Sequence, residues 1–366
     1  MARSDIFSVT INHFLAPVAP FLEDPAVSEI MINTPDEIYI EKNGKLVRTN
    51  AKFDSPEAFT AAVNNILQFT GKRLTAEHPL QDSRLPDGSR VHVILSPLSR
   101  RGTTMTIRKF AKVMFDAEHL IELGSWTRQA MEYLRICVLG EKNLLVAGGT
   151  SSGKTCLLNV LSGFIPNHQR IVVIEDSAEL DLQQDHLITL ESRSADRYGR
   201  GEVAIRDLFR SSLRLRPDRI IIGECRGGEA LEIIQAMTSG HAGSMSTLHA
   251  DNPLDALSRI ETLCMMSNVN LPLHALRAQV ASAMDVMVQV TRFSDGRRAV
   301  TQIAEVLPLD NDGRYRTSDM FAYQLDEKSD ASVGRLVWTG AKSVFRDDPR
   351  IRVLRKQMDL TREIFA

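Results

Sequence analysis

Long apolar runs are the first thing this chain lacks: no stretch of its 366 residues approaches the ~18 consecutive apolar residues of a membrane-spanning helix. A helical membrane anchor is therefore not expected. The opening residues Met1 to Thr10 have no basic end leading into an apolar core, so a standard export signal is not expected either. Cysteine is scarce. Cys137, Cys156, Cys225 and Cys264 are widely spaced with no C-x-x-C pair, which argues against a zinc knuckle and a disulfide framework and suits a reducing cytoplasm. A strong charge of one sign is also missing. The formal net charge of −2 gives no overall bias toward nucleic acid or anionic lipid, although basic residues cluster from Arg206 to Arg219. Internal repeats and low-complexity tracts are absent as well. What is left is a composition of 43 % hydrophobic and 25 % charged residues, a globular pattern, in a chain long enough for two domains.

The most informative segment present is Gly148-Gly149-Thr150-Ser151-Ser152-Gly153-Lys154-Thr155-Cys156, set between an apolar run (Leu144 to Ala147) and a helix-like stretch (Cys156 to Leu161). The pattern G-x-x-x-x-G-K-[ST] suits a nucleoside triphosphate. Glycines let consecutive backbone N–H groups turn inward on phosphates, the lysine reaches the outer phosphates, and the threonine hydroxyl ligates Mg²⁺. The N-terminus of the following helix adds partial positive charge at the same place. ATP with Mg²⁺ is the expected ligand pair, with residues 148 to 156 as its binding loop. The competing reading is a flexible Gly/Ser loop.

Residues 1 to about 115 read as a mixed α/β domain. Val27 to Asn33 and Glu37 to Glu41 have strand patterning, Asn43-Gly44 signals a tight turn, and Lys45 to Arg48 is the returning strand. Ser55, Pro56 and Gly71 bracket an amphipathic helix as cap, first residue and stop. Asp87-Gly88 marks a second hairpin, followed by a strand over Thr103 to Phe110. A linker is placed at 116 to 125. From 126 to 366, helical and short apolar segments alternate as in a largely parallel sheet covered by helices. Strands are expected at Leu144 to Ala147, Ile171 to Ile174, Ile188 to Leu190, Ile220 to Ile222, Met245 to Leu248 and Val286 to Val290. Turns at Asp295-Gly296 and Asp312-Gly313 predict hairpins, and Asp347 to Phe365 reads as helical. Parallel sheets bind ligands beyond the carboxyl ends of their strands, and Lys154, Glu175, Glu224 and His249 each follow such an end.

Hydrolysis of a phosphoanhydride requires charge neutralisation, a metal ion and a group that orients water. Lys154 and Thr155 serve the first two. Glu224, ending the run Arg219 to Gly223, is the candidate base or water-positioning residue, with a solvated acid as the bland alternative. Gly223 stands where an aspartate usually ends this strand, so Glu224 would contact the metal through water. Glu175, in the acidic segment with Asp176 and Glu179, is the candidate second metal or catalytic carboxylate, with a turn of capping acids as the alternative. His241 and His249 bracket a glycine-containing turn and a strand. Either can hydrogen-bond a phosphate or fill a structural role, and their spacing is not the i, i+4 of a helical zinc site. Arg84, Arg90 and Arg108, on or beside first-domain strands, are candidates for stabilising a transferring phosphoryl group, although surface solvation accounts for most arginines.

Taken together, the loop at 148 to 155, IVVIEDSAEL at 171 to 180, LRLRPDRIIIGECRGGEA at 213 to 230 and GHAGSMSTLHADNP at 240 to 253 resemble the secretion ATPase superfamily of type II secretion, type IV pili and type IV secretion. DPAVSEIMINTPDEIYIEKNGKLVRT at 24 to 49 and RLPDGSRVHVILSPLSRRGTTMTIRKF at 84 to 110 resemble its CpaF/TadA branch, which builds tight-adherence (Flp) pili. The resemblance spans roughly residues 20 to 345. It implies a PAS-like N-terminal α/β domain and a RecA-like P-loop ATPase domain. It also implies an Asp-box role for Glu175, an atypical Walker B role for Glu224 and His-box roles for His241 and His249, with Arg84, Arg90 and Arg108 approaching the phosphates. A homo-hexameric ring is implied too, cytoplasmic and peripheral to the inner membrane, that drives a platform protein there. The tetracysteine zinc element of many type II secretion ATPases is missing, so no zinc is expected. So is the long N-terminal extension of many CpaF-like proteins. Cys156 stands where a small hydroxyl residue often follows the Lys-Thr pair.

The expected function is thus an Mg²⁺-dependent ATPase motor for Flp-type pilus assembly or protein secretion. The alternatives are a type IV secretion ring ATPase, a nucleotide-dependent scaffold or switch without turnover, and a nucleic-acid translocase, the last disfavoured by the neutral charge.

Overall fold

The structure, a computed structural model, describes residues 10–11, 13–110, 115–193, 195, 199–267, 269, 271–325 and 334–366. All of Met1 to Thr10 except Thr10 lies outside them. The chain divides into two compact units, Met1–Met114 and Phe115–Ala366.

In the first unit, six antiparallel strands form one sheet in the order β3-β2-β1-β6-β5-β4: β1 (Val27–Thr34), β2 (Glu37–Lys42), β3 (Lys45–Arg48), β4 (Leu80–Arg84), β5 (Arg90–Ile94) and β6 (Thr104–Arg108). Short helix α1 (Ala19–Glu23) precedes them, and α2 (Pro56–Phe69) covers one face. Both turn signals hold. Asn43 and Gly44 take φ of 49° and 75°, and Gly88 takes 90°, the left-handed values a tight hairpin needs. Period-2 alternation puts Ile30, Ile32, Val91, Val93, Met105 and Ile107 on the core face, against Phe59, Val63 and Ile66 of α2. Ser55 caps α2 by accepting the Ala58 N–H at 3.2 Å. Ser55→Ala is expected to cost about 1 kcal/mol by leaving that N–H without its acceptor, measured as the shift in the urea midpoint of this unit.

The second unit is built on a nine-stranded sheet, order β15-β14-β13-β12-β7-β11-β10-β8-β9. Its strands are β7 (Leu144–Gly148), β8 (Ile171–Glu175), β9 (Leu187–Glu191), β10 (Arg219–Ile222), β11 (Met245–Leu248), β12 (Val286–Arg292), β13 (Arg298–Leu307), β14 (Arg316–Leu325) and β15 (Gly334–Trp338). From β9 to β12 every pairing is parallel; β12 through β15 pair antiparallel in succession, with the expected Asp295-Gly296 and Asp312-Gly313 at the β12–β13 and β13–β14 turns. The central strands are apolar on both sides. Leu144 and Val146 belong to one core and Leu145 and Ala147 to the other, so the continuous hydrophobic run of β7 follows from helices on both faces.

Two expectations change. Residues 116–125, expected as a linker, carry α3 (Ala117–Glu122), capped by Asp116, with Leu120 in the core of the second unit beside Trp126. Asp347 to Phe365 is not one helix. A four-residue α-helix (Pro349–Arg352) and a 3₁₀ turn (Arg355–Gln357) are followed by irregular chain. The N–H groups of Asp359, Leu360 and Thr361 donate to the Glu132 carboxylate at 2.9 to 3.2 Å instead of to carbonyls four residues back. A tertiary acceptor replaces the helical one. Glu132 itself lies on α4 (Arg128–Leu139).

Candidate functional site

The loop 148–153 joins β7, flanked by β11 and β12, to helix α5 (Lys154–Ser162). Its conformation demands its composition. A Cβ on Gly148 would lie 2.4 Å from the Val290 carbonyl oxygen and 2.5 Å from Ser152 Oγ, and Gly153 sits at φ 97°. Ser151 is also left-handed, at φ 56°. Ser152 Oγ is buried with no hydrogen-bond partner among the described residues. Thr155 and Cys156 are half-buried in the first turn of α5, and burial pushes the Cys156 thiol up to about 11, so it stays a neutral thiol.

Around this loop, the ends of three strands bring named side chains together. Lys154 Nζ donates to the carbonyls of Gly148 and Gly149 at 3.1 and 2.9 Å and lies 3.3 Å from His249 Nδ1. His249, one residue beyond β11, places Nε2 3.1 Å from Glu224 Oε1. Burial, then the Lys154 ammonium, hold the His249 imidazole below its usual range despite the nearby Glu224 carboxylate. The other Glu224 oxygen accepts from Arg226 Nε and Nη2 at 2.8 and 2.5 Å, and Arg226 Nη1 reaches Asp176 Oδ2 at 2.7 Å. Lysine, histidine, glutamate, arginine and aspartate thus form one chain from the P-loop across β11 and β10 to the end of β8.

Glu175 ends β8, is 3 % exposed, and its Oε1 accepts the N–H groups of Glu179 and Leu180 at 2.9 and 3.0 Å. Its position explains the missing aspartate on β10. A Cβ on Gly223 would come within 2.9 Å of Glu175 Cγ, so the carboxylate from the neighbouring strand fills the space that a side chain at 223 would need.

Not every candidate is gathered here. His241 and His249 lie beyond opposite ends of β11, about 13 Å of strand at ~3.3 Å per residue, so within one chain only His249 joins Lys154 and Glu224. His241 is fixed locally instead, its N–H on the Ala236 carbonyl and its own carbonyl on Ser244 Oγ. Arg84, Arg90 and Arg108 form a row within the first unit. Arg84 pairs with Arg90 and Arg90 with Arg108 across adjacent strands, followed by Glu29 on β1 and Glu41 on β2, all on the face opposite the core. The row thus runs from three guanidinium groups to two carboxylates, with Arg108 directly facing Glu29.

Two contributors were not read from the sequence. Arg226 lies inside the GECRGG segment, two residues after Glu224, but its second carboxylate partner, Asp176, comes from the end of another strand. Arg298 of β13 donates Nε to the Ser151 carbonyl at 2.8 Å, and its Cδ would lie 3.4 Å from a Cβ on Gly153, so it braces the P-loop from 147 residues away. In the basic cluster at 206 to 219, Arg206 and Arg210 share Glu232 and Arg219 is wholly buried, whereas Arg214 and Arg216 are exposed.

A parallel sheet with a P-loop leaving the strand between β11 and β12, and an acid following β10, defines a RecA-like P-loop protein. The more particular assignment comes from comparison. The family described as "Type II/IV secretion system protein" matches residues 12–325, and the chain belongs to it. The type IV secretion system protein PtlH of Bordetella pertussis is 34 % identical over 322 residues, covering 80 % of this chain and 94 % of PtlH. The type IV secretion system protein VirB11 of Bartonella quintana is 29 % identical over 325 residues, covering 79 % and 91 %. The solved structure of the pilus retraction motor PilT with bound ADP shares the fold at a TM-score of 0.54 and 16 % identity, covering 95 % of this chain and 86 % of that one. Among the described residues no helix is long and apolar enough to cross a membrane.

Proposed function

We propose that this protein is a Mg²⁺-dependent ATPase that works as a hexameric ring, cytoplasmic and peripheral to the inner membrane, and transmits motion to a platform protein of a secretion or pilus machine. The observation that carries the reading is the contact chain from Lys154 through His249 to Glu224 at the mouth of the P-loop. It sets a cation suited to the phosphates, Lys154, and a carboxylate suited to orienting water, Glu224, at one end of the sheet, bridged by His249. ATP is the substrate. The loop glycines and the N-terminus of α5 receive its phosphates, and the Ser152 hydroxyl, buried without a protein partner, is a donor held ready beside them.

The donor set also suits Mg²⁺, a hard cation that takes one or two protein oxygens along with water and substrate phosphates. Thr155 would hold it directly, with Glu175 and Glu224 acting through water; no trio of His, Cys, Asp or Glu among the described residues forms a metal site of its own. When bound, Mg²⁺ offsets phosphate charge. Lys154 leaves the Gly148 and Gly149 carbonyls for the outer phosphates. Glu224 orients the attacking water and takes its proton. His249, kept neutral by burial and the nearby ammonium, hydrogen-bonds without adding a second cation. Arg84, Arg90 and Arg108 are proposed to meet the transferring phosphoryl group from a first unit, of the same or a neighbouring chain.

For the pathway, the similarity to PtlH and VirB11 supports type IV secretion. The motifs at 24 to 49 and 84 to 110 support Flp-type pilus assembly, and the two readings stand level. The test pairs phosphate release with light scattering at saturating ATP and Mg²⁺. Turnover abolished by EDTA, in particles of about six chains, is expected for a ring motor. Tight ATP binding without turnover would leave a switch, and turnover stimulated by DNA in low salt would point to a translocase.

A further inference from the structure

We propose that Arg226 is a positioning residue that orients Glu224 for hydrolysis, anchored for that task by Asp176; this rests on the hydrolysis reading above. Glu224 has two oxygens with different neighbours. Oε2 is held by Nε and Nη2 of Arg226, whereas Oε1 is turned toward His249 and, through it, toward Lys154 and the P-loop. By occupying one oxygen, the guanidinium fixes which oxygen faces the phosphate end of the site.

Arg226 can do this because it is fixed at both ends. Glu229, nearly buried, accepts the backbone N–H groups of both Arg226 and Gly227 through one oxygen at 2.8 Å. Gly228 packs so closely on the chain leaving the helix Pro253–Met265 that a Cβ there would lie 2.8 Å from Ser267 Cα. At the other end Nη1 is held by Asp176, the residue after Glu175. One guanidinium therefore lies between two carboxylates, and its planar fork spends three donors on them. Lysine, a single ammonium on a flexible stem, cannot span that pair with fixed orientation. The Arg226 side chain is 55 % exposed, so holding the fold together is not its main task.

The test is steady-state ATP turnover of the full chain, with thermal melting to establish that each variant folds. Arg226→Ala is expected to lower kcat by about 10- to 100-fold with KM for ATP changed less than about threefold, the pattern of lost orientation and not lost binding. Arg226→Lys is expected to rescue less than half of the loss. Asp176→Asn is expected to lower kcat about three- to tenfold, and the Asp176→Asn/Arg226→Ala pair to be no slower than Arg226→Ala alone, because Asp176 acts through the arginine. In a Glu224→Gln background neither change is expected to matter further. If wild type turns over and Glu224→Gln does not, but Arg226→Ala keeps wild-type kcat, or its loss multiplies with that of Glu224→Gln, the positioning role is wrong while the hydrolysis reading stands. If wild type itself shows no turnover, the hydrolysis reading fails first. Should Arg226→Ala not fold, Asp176→Asn in the wild-type and Glu224→Gln backgrounds decides alone: an equal loss in both overturns the proposal.

Discussion

Glu224→Gln is expected to lower ATP turnover by about 10²- to 10⁴-fold while nucleotide affinity stays within a few-fold of wild type. The substitution keeps the shape of the side chain and leaves the P-loop, the proposed nucleotide-binding element, unchanged. It removes the negative charge that a water-orienting group needs, at a carboxylate joined through His249 to Lys154. Phosphate release alongside titration of a fluorescent ATP analogue separates the two effects. Loss of both together would place Glu224 in binding, and turnover within about twofold of wild type would transfer the water-orienting role elsewhere, with Glu175 the first alternative. Lys154→Ala is the natural contrast, since it is expected to weaken binding itself.

Gly243→Ala is expected to destabilise the second unit by about 3–5 kcal/mol, although it adds a single methyl group. The added carbon would sit 1.5 Å from Nη1 and 2.5 Å from Cζ of Arg219, and the residue is at φ 77°. Arg219 is fully buried at the start of β10. Its guanidinium bonds three neutral oxygens, Gln169 Oε1, the Val138 carbonyl and the Gly243 carbonyl, at 2.8, 2.9 and 3.2 Å. Burial lowers the Arg219 pKa to about 10, so the group remains a cation at neutral pH. Moving it strips a buried charge of its acceptors. For a unit of this size the loss corresponds to a fall of about 10 °C in the main thermal transition, readable by calorimetry. A fall under about 2 °C would mean that the guanidinium relocates into the adjoining 330 Å³ cavity, lined by Gln169, Gly240 and Ala242, and finds new acceptors there.

Legibility in the sequence followed the range of the interaction concerned. The P-loop, the six parallel strands, the capped helix at 56–69 and the four hairpin turns are each set by residues within a few positions of one another. In these elements glycine supplies positive φ, proline fixes the first helical turn, and period-2 patterning selects a sheet face. The helix expected over Asp347 to Phe365 failed for the converse reason. Its local pattern was adequate, but Glu132, more than two hundred residues away, offers a better acceptor to the N–H groups of 359 to 361 than the preceding turn does. The same limit hid Arg226, whose role depends on Asp176 fifty residues earlier, and Arg298, whose only local signal is an arginine after a turn.

The sequence by itself determined the two-part α/β organisation, the glycine-rich loop between β7 and α5 and the acids that follow their strands, because strand polarity sends every such residue to the same edge of a parallel sheet. Only the tertiary structure decided which of them meet. It joined His249 and not His241 to Lys154 and Glu224, since the two histidines flank opposite ends of one strand. It also gave the space beside Gly223 to Glu175. Strand order and side-chain packing, which no local pattern encodes, set those distances, and hydrogen bonds act only over about 3 Å.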